Sequence, residues 1–155
     1  MMNRSIYLTY HGTVLSKKNR HITTRQGHII PDARAKANED DMINQFLVQL
    51  KKQGGSKIFT KTHTERLLEA SQKGTAYSIA IHIWNESNRR RDLDNQATSI
   101  LDALTKSGAI VDDCAKFVRA LTVIYKGIDK EDPRAEIHIV EFEGYREAES
   151  GTIQS

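Results

Sequence analysis

Three arginines, Arg89, Arg90 and Arg91, run directly into two aspartates spaced i, i+2, Asp92 and Asp94. A second acidic pair follows at Asp112-Asp113, with Asp113 lying 19 residues beyond Asp94. In an extended stretch, residues two apart point to the same side, with Cα atoms roughly 7 Å apart. Asp92 and Asp94 can therefore converge on a hard divalent cation. Mg²⁺ takes few carboxylates and keeps positions for water and phosphate oxygens. Without a cation, two carboxylates this close repel each other. A helix expected from about Asn95 to Ser107 and a turn at Gly108 would bring Asp113 back as a third ligand. Guanidinium groups grip phosphate oxygens in a fork, so the arginines suit a phosphodiester, with Arg91 beside the reacting charge. The chemistry these residues spell is metal-assisted phosphodiester cleavage.

Each feature alone also has a plain structural explanation. Asp94 can cap a helix with Asn95 in its first turn, Asp112-Asp113 can be a solvated turn, and Arg89 to Arg91 can be an exposed charge run. Their occurrence together weighs toward chemistry. A calcium loop does not fit. Counting from Asp92, the sixth position is Ala97 rather than Gly, and the twelfth is Ala103 rather than Glu.

The elements that must position this stretch are legible from periodicity. Residues 76 to 84 alternate Tyr77, Ile79, Ile81 and Ile83 against Ser78, Ala80, His82 and Trp84, the pattern of a half-buried strand. Asn85 to Asn88 then forms a polar loop that delivers the arginines and Asp92, as catalytic groups commonly sit on loops held by a rigid scaffold. The helix after Asn95 buries Ala97, Ile100, Leu101 and Leu104, leaving Asp102 off that face, either as an acid supporting the site or as a plain surface residue.

Upstream, Ser5 to Tyr10 reads as a strand. Lys17 to Arg20 forms a basic loop. His21 to Ile30 reads as a hairpin turning at Gln26-Gly27. Pro31 is placed to start a helix running from about Asp32 to Gln53, with Met42, Ile43, Phe46, Leu47 and Leu50 at helical spacing. Residues 60 to 72 read either as a short helix or as a polar loop. Phe117 to Tyr125 and Ala135 to Phe142 read as strands. His63, His82 and His138 carry no ligand pattern. The order β, hairpin, α, β, α, β, β predicts an α+β fold, a mixed sheet with helices on one face.

A chain of 155 residues is of single-domain size. The expected domain spans residues 1–143, with an acidic, disordered tail over 144–155. Net charge is +3, weak evidence by itself, but its distribution is uneven. Residues 1–38 hold seven Lys or Arg against one acid, whereas residues 129–155 hold three against eight. A phosphate backbone belongs on the basic half. Aromatic residues make up 6% of the chain, which argues against a large base-stacking platform. The one cysteine, Cys114, precludes an internal disulfide framework and reads as a packing residue. No run is apolar enough for a membrane span, and no secretory leader is visible. The expected location is the cytoplasm.

Arg90-Arg91-Asp92-Leu93-Asp94-Asn95, followed by Ile100-Leu101-Asp102-Ala103-Leu104-Thr105-Lys106-Ser107-Gly108 and then Val111-Asp112-Asp113, resembles the core signature of the RusA-type Holliday junction resolvases. The resemblance is clear from about Asn88 to Asp113. It implies a RusA-like homodimer and a Mg²⁺-dependent endodeoxyribonuclease, Mn²⁺ being a possible substitute, that resolves four-way junctions by paired nicks. Such proteins are often encoded by phages and prophages. It assigns metal binding and catalysis to Asp92, Asp94 and Asp113. Asn19-Arg20 resembles an Asn-Arg element of the family, and Lys18, Asn19 and Arg20 are assigned to the DNA backbone, together with Arg89, Arg90 and Lys106. Where family members commonly carry a lysine six residues after the first aspartate, this chain has Thr98. That departure keeps a second reading open, a branched-DNA-binding protein without catalysis. A nuclease for flaps or other branched substrates is a third.

Overall fold

The computed structural model describes residues 3–16, 21–54 and 60–146. The fold is built from the strand expected at the centre. β4 (Ala76–Asn85) alternates buried and half-buried residues from Tyr77 onward. It lies between β6 (Arg134–Phe142), which runs antiparallel to it, and β5 (Val118–Ile128), which runs parallel. β1 (Asn3–His11) pairs antiparallel with β6 and completes the order β1-β6-β4-β5. The register places Ile6 opposite Ile139 and Leu8 opposite Ile137, and the same two β6 residues opposite Ile79 and Ile81 of β4. One face of the sheet is therefore a continuous layer of branched apolar side chains, all buried.

Two helices cover that layer. α1 (Ala33–Lys52) contributes Met42, Phe46 and Leu50, and α3 (Leu93–Ser107) contributes Ile100, Ala103 and Leu104. This is the expected α+β architecture with helices on one face of a mixed sheet. Between α1 and β4 lies α2 (His63–Lys73), so the helical reading of that region holds. It opens on a capping box: the Thr62 side chain accepts from Glu65 N–H while the Glu65 side chain accepts from Thr62 N–H. A short hairpin, β2 (His21–Thr23) with β3 (Ile29–Pro31), precedes α1. Pro31 ends β3 rather than opening the helix. Asp32 is the N-cap, its carboxylate accepting from Arg34 N–H at 2.9 Å.

The outer edge of β1 is sealed in an unusual way. Gln45 and Gln49 of α1 and its C-cap residue Gln53 repeat every four residues and form one stripe. Each amide accepts from a β1 backbone N–H and donates to the carbonyl of the same residue: Gln45 with His11, Gln49 with Thr9 and Gln53 with Tyr7. The three side chains act as a substitute strand and satisfy groups that an edge otherwise exposes.

α3 returns the chain from the end of β4 to its beginning, because β5 runs parallel to β4. Fifteen helical residues at 1.5 Å each span about 22 Å. This distance governs the site.

Of the tail, Gly144 and Tyr145 donate their N–H groups to the carbonyls of Lys73 and Gly74. The remainder of the expected disordered segment, from 147 on, lies outside the described residues. No helix among the described residues is long and apolar enough to cross a membrane.

Candidate metal-dependent nuclease site

At the end of β4, Asn85 is buried, and the Gln96 amide in the first turn of α3 reaches back to it. Gln96 Nε2 donates to Asn85 Oδ1 at 2.8 Å and to the Val14 carbonyl at 3.0 Å. One side chain thus ties β4, the segment after β1 and the start of α3 together. Sequence reasoning missed it. The available signal was a glutamine four residues before Ile100, on the stripe that α3 buries.

This anchor presents Asp92 and Asp94. Asp92 is the extended N-cap of α3, and Asp94 is exposed in the first helical turn. The expected extended geometry therefore stops at Asp92, and the two carboxylates flank the helix start rather than repeat along a strand. Asp92 makes no side-chain cap bond. Its nearest side-chain contacts are Asn95 Nδ2 at 3.4 Å and Arg90 Nε at 3.8 Å. Two open carboxylate groups of this kind suit a hard cation in donor type and number.

The arginines divide. Arg90 is 93% exposed in its side chain, and Arg89 is also exposed, as a backbone-binding role requires. Arg91 turns inward. Its side chain is 8% exposed, and its Nη2 sits 2.5 Å from Glu86 Oε1. Burial alone would raise the Glu86 carboxyl, but hydrogen bonds from Arg91 and Thr13 and the Arg91 charge outweigh it and hold Glu86 below the ordinary carboxylate value. Arg91 therefore clamps the loop before Asp92, so the expectation that it meets the reacting phosphate finds no geometric support. Lys106, expected on DNA, places its Nζ on the carboxylate of Glu39, a buried residue of α1. Thr98 folds its hydroxyl back to the Asp94 carbonyl at 3.0 Å and is neutral where the resemblance expects a lysine. Lys18, Asn19 and Arg20 lie outside the described residues.

Asp113 lies at the other end of the sheet. Tyr77, near the start of β4, holds both limbs of its loop. The Tyr77 hydroxyl accepts from Val111 N–H at 3.2 Å, and Tyr77 N–H donates to the Phe117 carbonyl at 2.7 Å. Burial, then the negative charges of Asp112 and Asp102, push the Asp113 carboxyl above the ordinary aspartate value. The expectation that the Gly108 turn returns Asp113 to Asp92 and Asp94 within one chain is therefore corrected. The helix is long, and a parallel β5 must begin at the far end. Among the described residues of one chain, no three His, Cys, Asp or Glu side chains gather closely enough to hold a metal ion.

An α+β sheet with open carboxylates and exposed guanidinium groups at a strand-to-helix junction defines a candidate phosphodiester-cutting protein. The sequence profile of endodeoxyribonuclease RusA matches residues 11–140, most of the chain. The chain belongs to the RusA family of endodeoxyribonucleases, whose general activity is cleavage of Holliday junctions. No curated protein matches it.

Proposed function

We propose that this protein is a homodimeric, divalent-metal-dependent endonuclease that resolves four-way DNA junctions, and that each of its two metal centres is shared between chains. The observation that carries the reading is the placement of Asp92 and Asp94 at one end of α3 and Asp113 at the other, about a helix length away. A two-fold related copy running in the opposite direction offers its Asp113 to the first chain's Asp92 and Asp94, and receives the same in return. Two such centres match the two strands of like polarity in a junction with approximate two-fold symmetry, which yields paired nicks.

Asp92 and Asp94 would hold the ion, Mg²⁺ by donor chemistry, with Mn²⁺ able to replace it. When bound, the ion supplies a water of lowered pKa and stabilises the leaving oxygen. The chain itself holds the two carboxylates in place through Gln96 and Arg91. It also presents Arg89 and Arg90 to phosphate oxygens beside the cut.

The test mixes inactive variants. Asp92→Asn and Asp113→Asn homodimers should each bind a fixed four-way junction but not nick it. Mixed and re-equilibrated, they form heterodimers with one intact shared centre, so Mg²⁺-dependent nicking of a single strand should return. A mixture that stays inactive while both variants exchange subunits refutes the shared centre. Retained nicking in either homodimer refutes the assignment of that aspartate.

A further inference from the structure

We propose that Tyr77, backed by Glu141 and Arg4 in one row across the sheet, is the positioning residue that sets Asp113 for the metal. This rests on the reading of Asp113 as a metal ligand above and names the groups that fix its place.

The row breaks the pattern of the face it belongs to. Under the helices, Leu8, Ile137 and Ile81 stand side by side on β1, β6 and β4, and Ile6, Ile139 and Ile79 form the next row. Two residues on in each strand, the same face carries Arg4, Glu141 and Tyr77. Side chains two apart share a face, so an apolar triple here would continue the core. Charges in its place gain little stability, since a buried ion pair does no better than well-packed apolar residues of similar volume. Local departures from the pattern are expected where a site is served.

What the row serves is the backbone entering Asp112-Asp113. Tyr77 is 4% exposed, and a buried phenol needs partners for its oxygen and its proton. The oxygen accepts from Val111 N–H at 3.2 Å. The acid beside the hydroxyl is Glu141, the cross-strand neighbour of Tyr77. Burial, and then the Glu141 charge, push the Tyr77 hydroxyl above the ordinary tyrosine value, so it stays a donor. Burial also raises the Glu141 carboxyl, and the Arg4 charge opposes that rise. The order is therefore Arg4, Glu141, Tyr77 and then the Val111 amide, each group orienting the next.

Ala109 and Val111 line a cavity of about 480 Å³ together with Arg4, Tyr77 and Glu141. The chain entering Asp112 borders open space on this side, and the Tyr77 hydroxyl reaches across to its backbone. Asp113 lies two residues beyond Val111 and four before Phe117, whose carbonyl accepts from Tyr77 N–H. One residue thus grips the loop on both sides of Asp113, and loss of either hold moves its carboxylate.

The test reads the loop and the metal separately. Cys114 is exposed, is the one cysteine of the chain and adjoins Asp113. A nitroxide on its thiol reports the loop by electron paramagnetic resonance with neither metal nor DNA present. Tyr77→Phe keeps the ring and removes the acceptor, so the label should tumble at least about twofold faster than in wild type, on the nanosecond scale of loop motion. Glu141→Leu should loosen it likewise. In unlabelled protein, Tyr77→Phe should raise the Mg²⁺ concentration for half-maximal junction nicking about fivefold, the worth of one hydrogen bond. The rate at saturating Mg²⁺, and junction affinity in Ca²⁺, should stay within about twofold of wild type. Glu141→Gln, which keeps an acceptor, should match wild type in both readouts. So should Phe46→Leu, which loosens the packing of α1 on the sheet. The proposal is overturned if the label is as constrained in Tyr77→Phe as in wild type, or if Phe46→Leu shifts the Mg²⁺ midpoint as far. An inactive Asp113→Asn chain beside a Tyr77→Phe chain of wild-type Mg²⁺ midpoint keeps the metal reading and removes the positioning role. If Asp113→Asn nicks as wild type does, the metal reading fails on its own account, and label mobility still decides whether Tyr77 holds the loop.

Discussion

Replacing Gln96 by methionine isolates the device that holds the metal-binding end of the molecule. Methionine nearly matches glutamine in volume, so no cavity confounds the result. What is lost is one amide donor that serves both the Val14 carbonyl and Asn85 Oδ1, in a side chain 1% exposed. Two net hydrogen bonds contribute about 1 kcal/mol each, and stranding the buried acceptors adds about 1 kcal/mol more. The expected loss is about 3 kcal/mol, or a fall in Tm of about 6–12 °C for a chain of this length. Calorimetry or far-UV circular dichroism reads the stability. Junction nicking well below the new Tm reads the site, where a displacement of Asp92 and Asp94 should slow cleavage about tenfold or more with junction affinity retained. A double-mutant cycle with Asn85→Ala should show coupling of about 1 kcal/mol. A Tm within 2 °C of wild type, or strictly additive single and double variants, would refute the view that Gln96 joins these three segments.

Other outcomes follow from the same physics. Phe46→Ala, which empties a site beneath the sheet, should cost about 3–5 kcal/mol in denaturant unfolding without altering residual metal dependence. Arg91→Met should lower stability by about 2 kcal/mol, because it strands Glu86 in the loop before Asp92. It should also slow nicking while leaving the salt dependence of junction binding unchanged, since Arg91 faces inward. Glu69 is held at about 2 by hydrogen bonds from Lys61 and then Lys73. Its folded value lies below its unfolded one, so its contribution is fully present above about pH 4.5 and drains away as pH falls toward 2. Glu69→Gln should flatten the acid limb of the stability curve in that window.

Much of the fold could be read from periodicity, because β4 alternates strictly and α1 and α3 carry apolar residues at helical spacing. What escaped depended on partners distant in sequence. The α2 cap was written as Thr62-His63-Thr64-Glu65 but carried little apolar patterning to draw attention. Pro31 suited a helix start by its fixed φ, yet the better cap was the next residue, Asp32, with a carboxylate to accept from Arg34 N–H. The local part of the site, Asp92 and Asp94 at a strand-to-helix junction, was visible as a motif. Where Asp113 lies relative to them was not, because a spacing of 19 residues says nothing about direction until the parallel pairing of β4 and β5 fixes it. Arg91 looked like its two neighbours in sequence. Only the position of Glu86, five residues earlier, sets it apart.

The amide rungs along β1 bear on how this protein behaves in solution. A sheet border guarded by lysines loses that protection when counterions crowd around it, and one guarded by carboxylates loses it on acidification. Gln45, Gln49 and Gln53 have no charge to screen or titrate. The high ionic strength that strips a nucleic-acid-binding protein from its ligand should therefore leave that flank unavailable for open-ended polymerisation.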